Sequence, residues 1–499
     1  MTGGACTAEV VAAVRPWLAD ALAHGDPSTW PGFTTVKHST VRTTLRGALH
    51  DPAGHPLAVH VKLYRAVRLS DRARDALGGA RAAREFANLR AARARGLPAV
   101  RPLAHGVARG SFGSRSFLVT ATVPESLPLA RGPLRQAQAA CAGSLLRTLH
   151  DAGLHAGDLH PGNLLATPEG ELLLVDLTSA RFAQPLDLAQ RAHALAFFCL
   201  DLDGNVRDPA AAPLVAAYRA SPALLARALA LGRRLRRRAM LAFGRRAGRT
   251  CAHTALEHER GGVTWAWHRP AQDAHAEARA FLAALPPPLR QGRRGAVHLH
   301  EHLVAKEREA AKARALFTAH YLLEFCGVPA PQPVCVRTAG GRGVAVARRV
   351  AGEDLAARLA ANTLPAGCFP RLAADLGRSL GRMHAHGLRH RDLKFENLVP
   401  DAAGQRLWIV DLEGVRPRLP LDPRGEAADL GRVLAAWRAA GGPGGRRVLA
   451  AFERAYRLAL RCLNHPVPHR RHLRRSTEAR ARAWASAHRA PHAAAGGAG

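Results

Sequence analysis

The run HRDLKFEN from His390 to Asn397, followed by the apolar run Leu407–Val410 and then Asp411, decides how this 499-residue chain is read. Working outward, Met383–Val399 (MHAHGLRHRDLKFENLV) lies without gaps on Leu149–Leu165 (LHDAGLHAGDLHPGNLL), with seven of 17 positions identical. LWIVDL ending at Leu412 lies on LLLVDL ending at Leu177. Upstream, GVPAPQP from Gly327 lies on GLPAVRP from Gly96, and VAKER around Lys306 lies on HVKLY around Lys62. Four landmarks recurring in one order make the chain a tandem duplication.

The second copy's pattern resembles the catalytic loop and metal aspartate of the protein-kinase superfamily. The resemblance implies that Asp392 orients and deprotonates the attacking hydroxyl, and that Lys394 offsets charge on the transferred group. It implies Asn397 and Asp411 as Mg2+ ligands. The first copy reads HAGDLHPGN from His155 to Asn163, then Asp176 after the expected strand Glu171–Val175. That form is similar to the loop of small-molecule and sugar kinases, and it implies Asp158 as the base with Asn163 and Asp176 on the metal. Ala156 stands where such loops usually carry histidine, with His155 beside it.

Lysine usage adds an independent argument. The chain holds five lysines against 67 arginines, yet Lys62, Lys306 and Lys394 fall where a kinase needs a compact ammonium. A planar, forked guanidinium replaces a point charge on phosphates poorly. Lys37 and Lys312 carry no assigned role. Lys62 and Lys306 are therefore candidate ATP-binding residues, and Glu85, 11 residues before Gly96, is the candidate partner of Lys62. The same register puts Leu316 at that place in the second copy, with Glu309 and Glu324 out of register. Neither copy has a G-x-G-x-x-G loop; the first offers only the run from Lys37 to Arg42. The first copy thus has the complete set and the second the better loop with a poorer clamp.

The runs REFANLRAARARGLPAVRPLAHG, AHYLLEFCGVPAPQPV and VDLEGVRP, with the two loops above, resemble the bacterial lipopolysaccharide core kinases, the heptose and Kdo kinases. The likeness covers roughly residues 35–200 and 295–440. It implies an α+β chain of two tandem bilobal protein-kinase-like domains, each with a small β-rich lobe and a larger helical lobe. It implies ATP and Mg2+ as cofactors, and transfer of the γ-phosphate to a hydroxyl of a core sugar on a lipid-anchored acceptor. A compact acceptor fits the spacing, since Asp176 lies 11 residues before Asp187-Leu188 and Asp411 lies 18 before Asp429-Leu430, with no A-P-E anchor for a peptide. A kinase acting on protein or another small molecule such as an aminoglycoside, and a pseudokinase pair serving as scaffold, are the alternatives.

Composition bounds the rest. A hydrophobic fraction of 47% with 22% charged residues describes folded domains, and this length allows two or three. The formal charge of +34 favours anionic partners, among which a glycolipid phosphate or an anionic membrane is preferred here to nucleic acid. Eight scattered cysteines without metal-ligand spacing fit a reducing compartment. With no leader pattern and no apolar run of about 18 residues, a cytoplasmic protein, at most peripheral on the inner membrane, is expected. The expected organisation is a helical segment over 1–30, containing a helix near Val10–Ala23, and a kinase-like domain over 31–217. An Arg-rich helical connector over 218–260 leads to a second kinase-like domain over 261–465 and a basic, then Ala/Gly-rich tail over 466–499. In the first domain, strands at 34–36, 41–49 and 57–63 precede a helix over 72–95 that Gly96-Leu97-Pro98 stops.

Overall fold

The computed structural model describes residues 6–10, 15, 18, 21, 26–38, 42–65, 80–110, 113–129, 134–183, 186–200, 211–292, 295–365, 367–417, 423–463, 465, 467 and 470–487. Residues 1–232 and 233–499 form two compact units. Most of the expected helix near Val10–Ala23 lies outside the described residues, although Arg15, Leu18 and Ala21 are helical and Val10 ends a strand.

The first unit opens with β1 (Cys6–Val10), β2 (Thr34–His38), β3 (Arg42–His50), β4 (Pro56–Arg65), helix α1 (Arg81–Ala94), β5 (Pro102–Gly110) and β6 (Gly113–Ala121). The strands make one antiparallel sheet in the order β1-β5-β6-β4-β3-β2. Alternation along β4 sends Val59, Val61 and Leu63 into a core with Trp30, Leu103 and Phe117, and leaves Lys62 half-buried on the other face. Residues 66–79 lie outside the described set, so the helix expected over 72–95 is seen from Arg81. It ends as expected: Gly96 takes φ +70° and the Leu97 N–H returns to the Ala92 carbonyl at 3.0 Å.

There follow β7 (Leu127–Pro128), α2 (Gln136–Asp151), β8 (Leu154–His155), β9 (Leu164–Ala166), β10 (Leu172–Leu174), β11 (Arg181–Phe182), α3 (Leu188–Leu200) and α4 (Ala212–Tyr218), then α5 (Pro222–Gly244), within which the division between the units falls. Helix α2 meets α4 so closely that a Cβ on Gly143 would sit 2.1 Å from the Leu214 carbonyl oxygen. Two turns beyond Gly143 and one beyond Leu214, the buried His150 Nδ1 and Tyr218 hydroxyl are 2.7 Å apart.

The second unit repeats this plan with an enlarged sheet. It contains β12 (Thr254–Glu259), β13 (Val263–His268), α6 (His275–Ala283), β14 (Arg290–Gly292), β15 (Gly295–His300), β16 (Leu303–Glu309), α7 (Ala310–Phe325), β17 (Pro333–Ala339) and β18 (Arg342–Arg348). The sheet order β12-β13-β17-β18-β16-β15-β14 matches the first, with β16 in place of β4 and one further strand at the edge. The stretch expected to be helical through residue 260 therefore leaves the helix at Gly244 and forms a hairpin. The reason is local: Gly261 and Gly262 adopt φ +78° and +74°, the left-handed pair a tight hairpin needs, and Trp265 and Trp267 bury against the sheet.

Helices α8 (Leu355–Ala360) and α9 (Phe369–Ala385) precede β19 (Leu388–Arg389), β20 (Leu398–Pro400), β21 (Leu407–Ile409) and β22 (Arg416–Pro417). Helices α10 (Pro423–Ala439), α11 (Gly445–Cys462) and α12 (Arg470–Ala487) complete the unit. The α2–α4 joint recurs between α9 and α11: a Cβ on Gly377 would lie 2.5 Å from the Phe452 carbonyl oxygen, and His384 Nδ1 stands 2.9 Å from the Tyr456 hydroxyl. Much of the tail from 466 is thus a helix, tied to α10 by Arg438 and Glu478 at 2.6 Å, while residues 488–499 lie outside the described set.

Candidate active site

In each unit the loop bearing the repeated motif runs between a short strand and a two-stranded hairpin. In the first, β8 pairs with β11 and β9 with β10; in the second, β19 pairs with β22 and β20 with β21. Backbone hydrogen bonds explain the GLPA and GVPA repeats. The Leu174 N–H donates to the Pro98 carbonyl at 2.8 Å and the Ile409 N–H to the Pro329 carbonyl at 2.9 Å. The turn after each sheet-lobe helix is thereby bound to the strand that delivers the aspartate.

The asparagines are fixed alike. Asn163 Nδ2 donates to the Asp158 carbonyl at 3.2 Å, and Asn397 Nδ2 to the Asp392 carbonyl at 2.7 Å. With its nitrogen committed to the backbone, each buried amide keeps its oxygen for another partner. Asp176 and Asp411 both occupy the left-handed region, at φ +63° and +57°. Strain of this kind in a non-glycine residue is held in place by its surroundings.

In the first unit Lys62 Nζ lies 2.5 Å from Glu85 Oε1 and 3.9 Å from Asp176 Oδ1. Sheet, helix and hairpin end thus meet at one ammonium. Glu85 is fully buried, and its second oxygen accepts from the Tyr64 hydroxyl and, at 3.0 Å, from Thr178. Arg42 on β3 donates to Asp176 Oδ2 at 2.5 Å. Burial works against the Asp176 charge, but Lys62 and Arg42 outweigh it and hold the pKa below the ordinary carboxylate value. Asp158 is exposed and accepts from the Ser179 hydroxyl.

In the second unit Lys306 Nζ is 2.7 Å from Asp411 Oδ1 and 3.6 Å from Glu413 Oε1. Arg308, two residues along β16, also donates to Glu413, from Nε at 3.1 Å. Burial again opposes the Asp411 charge, and Lys306, His390 and Arg308 outweigh it to lower its pKa. Asp392 is exposed, Lys394 half-buried two positions on. Asp429, fully buried in α10, accepts from the His390 and Arg391 N–H groups, each at 3.1 Å, and pins the loop where Arg391 takes φ +70°. Asp187, aligned with Asp429 by sequence order, is instead an exposed residue whose carboxylate accepts from the Gln190 N–H at 2.7 Å. The two are not counterparts in environment.

The structure thus brings together Lys62, Glu85 and Asp176 in one unit, and Lys306 and Asp411 in the other. Asp158 with Asn163, and Asp392 with Asn397, share their loops. Sequence reasoning gave no site role to Thr178, Ser179, Arg308 or Glu413; it reached Arg42 only as the end of the run from Lys37 and Asp429 only as a spacing mark. A signal existed for Glu413, which directly follows the repeated VDL run, but the spacing from Gly96 and Gly327 points to the helix for the lysine's partner. Leu316 does occupy that helical position, buried. Glu309 pairs with Lys312 at 2.6 Å and Glu324 faces His268 at 3.4 Å, so neither serves Lys306.

Among the described residues no cluster of three His, Cys, Asp or Glu side chains forms a metal cage. One carboxylate and one amide oxygen per unit nevertheless suit Mg2+, a hard cation that completes its shell with phosphate oxygens and water.

Comparison with known proteins agrees with the repeat. The profile of the lipopolysaccharide kinase (Kdo/WaaP) family matches residues 41–196 and 292–444, more than half of the chain, and both segments contain the residues above. Serine/threonine-protein kinase SBK2 of Mus musculus is 35% identical over 144 residues, covering 26% of this chain and 40% of that protein. Its Rattus norvegicus counterpart is 48% identical over 56 residues, covering 11% of this chain and 16% of that protein. The chain therefore spans less than half the length of these curated relatives. Among solved structures, an aminoglycoside-3'-phosphotransferase of type VIII is similar at 19% identity and a TM-score of 0.29, over 40% of this chain and 93% of that one. The bifunctional kinase-methyltransferase WbdD is similar at 17% identity and a TM-score of 0.25, over 39% and 49%.

Proposed function

Because the chain belongs to the lipopolysaccharide kinase (Kdo/WaaP) family, we propose that it transfers the γ-phosphate of ATP to a sugar hydroxyl, that of a lipopolysaccharide core. The observation that carries this reading is the convergence on Lys62 of Glu85 from the helix and Asp176 from the hairpin, at 2.5 and 3.9 Å. An ammonium held between two carboxylates is placed to take phosphate oxygens.

Asp158 and Asp392, exposed on their loops, orient the acceptor hydroxyl and take its proton. The Ser179 hydroxyl donates to Asp158 and holds that carboxylate in orientation. Lys394 balances charge on the group in flight. Asn163 with Asp176, and Asn397 with Asp411, would hold Mg2+, which when bound neutralises phosphate charge. Arg42 donates to Asp176, and its planar guanidinium would suit phosphate oxygens beside that carboxylate.

The substrate's placement fits a peripheral enzyme. Among the described residues no helix is long and apolar enough to cross a membrane. Helix α11 exposes Arg447, Arg454 and Arg461 along one stripe with Leu458, 56% exposed, a face suited to anionic lipid at the inner membrane surface.

Transfer from labelled ATP to purified lipopolysaccharide core tests the reading. Asp158→Asn and Asp392→Asn together should lower the rate about a hundredfold or more. Loss in only one single variant names the working unit. Full activity in both singles and the double would refute the enzyme reading for this acceptor.

A further inference from the structure

We propose that Glu413 is the positioning residue for Lys306, doing in the second unit what the helix glutamate Glu85 does for Lys62 in the first. The inference rests on reading the second unit as a nucleotide site.

The two sites are built from equivalent places with their charges exchanged. Two residues after the lysine stand Tyr64 and Arg308; two after the aspartate stand Thr178 and Glu413; on the helix stand Glu85 and Leu316. In the first unit the carboxylate comes from the helix and takes hydrogen bonds from Tyr64 and Thr178. In the second it comes from the segment after the aspartate, and takes them from Arg308, with Lys306 at 3.6 Å. The cation facing this cluster has moved as well. Arg42, paired across the strands with Tyr64, supplies it in the first unit. Arg308 supplies it in the second, and Gly295 lies beside it, where a Cβ would come within 2.9 Å of Arg308 Nη1.

The sum of charge is unchanged. Lys62 and Arg42 face Glu85 and Asp176; Lys306 and Arg308 face Asp411 and Glu413. Four substitutions that would each strand a charge are neutral when made together, because every half-buried ion keeps an opposite partner. Leu316 then fits as apolar packing at 5% exposure, where a carboxylate would have no unpaired cation to meet. The missing helix glutamate is therefore not a mark of a dead site. Lys306 takes its support from the same short segment that carries Asp411, so the clamp does not depend on where helix α7 sits.

The test uses the full chain carrying Lys62→Met, which removes the first unit's ammonium and leaves one binding event to follow. Mg2+ with a non-hydrolysable ATP analogue is titrated calorimetrically, with melting temperature recorded for each variant. Glu413→Gln should weaken binding about tenfold or more, the worth of one charge-assisted contact. Glu413→Asp should retain most of the affinity, and Leu316→Glu combined with Glu413→Thr, which rebuilds the first unit's arrangement, should regain it. Unchanged binding in Glu413→Gln, where Lys306→Met abolishes it, overturns the role of Glu413 alone. Equal weakness of Glu413→Gln, Glu413→Asp and the rebuilt site overturns it too. Unchanged binding in Lys306→Met overturns the nucleotide reading beneath it.

Discussion

Glu85 shows how much one side chain can organise. Buried without any exposure, it accepts from an ammonium, a phenol and a hydroxyl at once. Glu85→Gln keeps the shape but gives Lys62 a neutral neighbour and sets an amide NH2 against donors. The KM for ATP of the first unit should rise about tenfold, since a hydrogen bond to a charged group contributes about 1.5–3 kcal/mol. Steady-state kinetics in an Asp392→Asn background isolates that unit, and an unaltered KM would remove Glu85 from the clamp. Ser179 offers a finer probe. Its second-unit counterpart is Gly414, where a Cβ would lie 2.0 Å from the His390 carbonyl oxygen, so that position cannot carry a serine beside Asp392. Ser179→Ala should lower kcat about tenfold by freeing the Asp158 carboxylate to rotate, with the KM for ATP unchanged.

Helix packing is decided by glycines that no motif announces. Gly143 and Gly377 are aligned in the duplication, and each lets a second helix approach to backbone contact. The histidine two turns beyond each glycine then bonds a tyrosine of the facing helix. Gly377→Ala forces α9 and α11 apart and should cost about 1–3 kcal/mol, the usual penalty of overpacking. Thermal melting measures it; a gain in stability, as expected from helix propensity alone, would refute the close contact. Asp429 belongs to this scale too, because it joins α10 to the loop before Asp392. Removing its carboxylate leaves buried N–H groups unmatched, which explains why an acid is needed inside that helix.

Across the whole molecule, buried histidines set the response to acid. Burial pushes His150, His320 and His386 down to about 4, so the folded protein refuses protons that the unfolded chain takes up near pH 6.5. Their contribution is complete above pH 6.5 and is lost as pH falls toward 4, at about 1.4 kcal/mol per pH unit for each histidine. Asp176 and Asp411, whose values are lowered from 3.8, add their loss only below that window. Melting temperatures recorded from pH 8 to 4 should therefore drop steadily below 6.5; a level profile to pH 4.5 would contradict the burial. The same scale carries the membrane reading. Co-sedimentation with phosphatidylglycerol vesicles should exceed that with neutral vesicles, and should fall when Arg447, Arg454 and Arg461 are changed to Glu.

Sequence by itself determined the duplication, the two loops and the order of loop aspartate, asparagine and hairpin-end aspartate, because those residues lie within a few positions of one another and their spacing is read directly. The end of α1 at Gly96 was legible for the same local reason. The hairpin turn at Gly261-Gly262 carries an equally local signal, but its first strand, Thr254–Glu259, falls within the stretch expected to be helical through residue 260. What only the tertiary structure decided is which charges meet: Lys306 finds Glu413 across more than a hundred residues, and Arg42 finds Asp176 likewise. Opposite charges need only end close together in space, and any of several positions around the lysine can supply them. Spacing along the chain holds no record of that choice until sheet, helix and hairpin have packed.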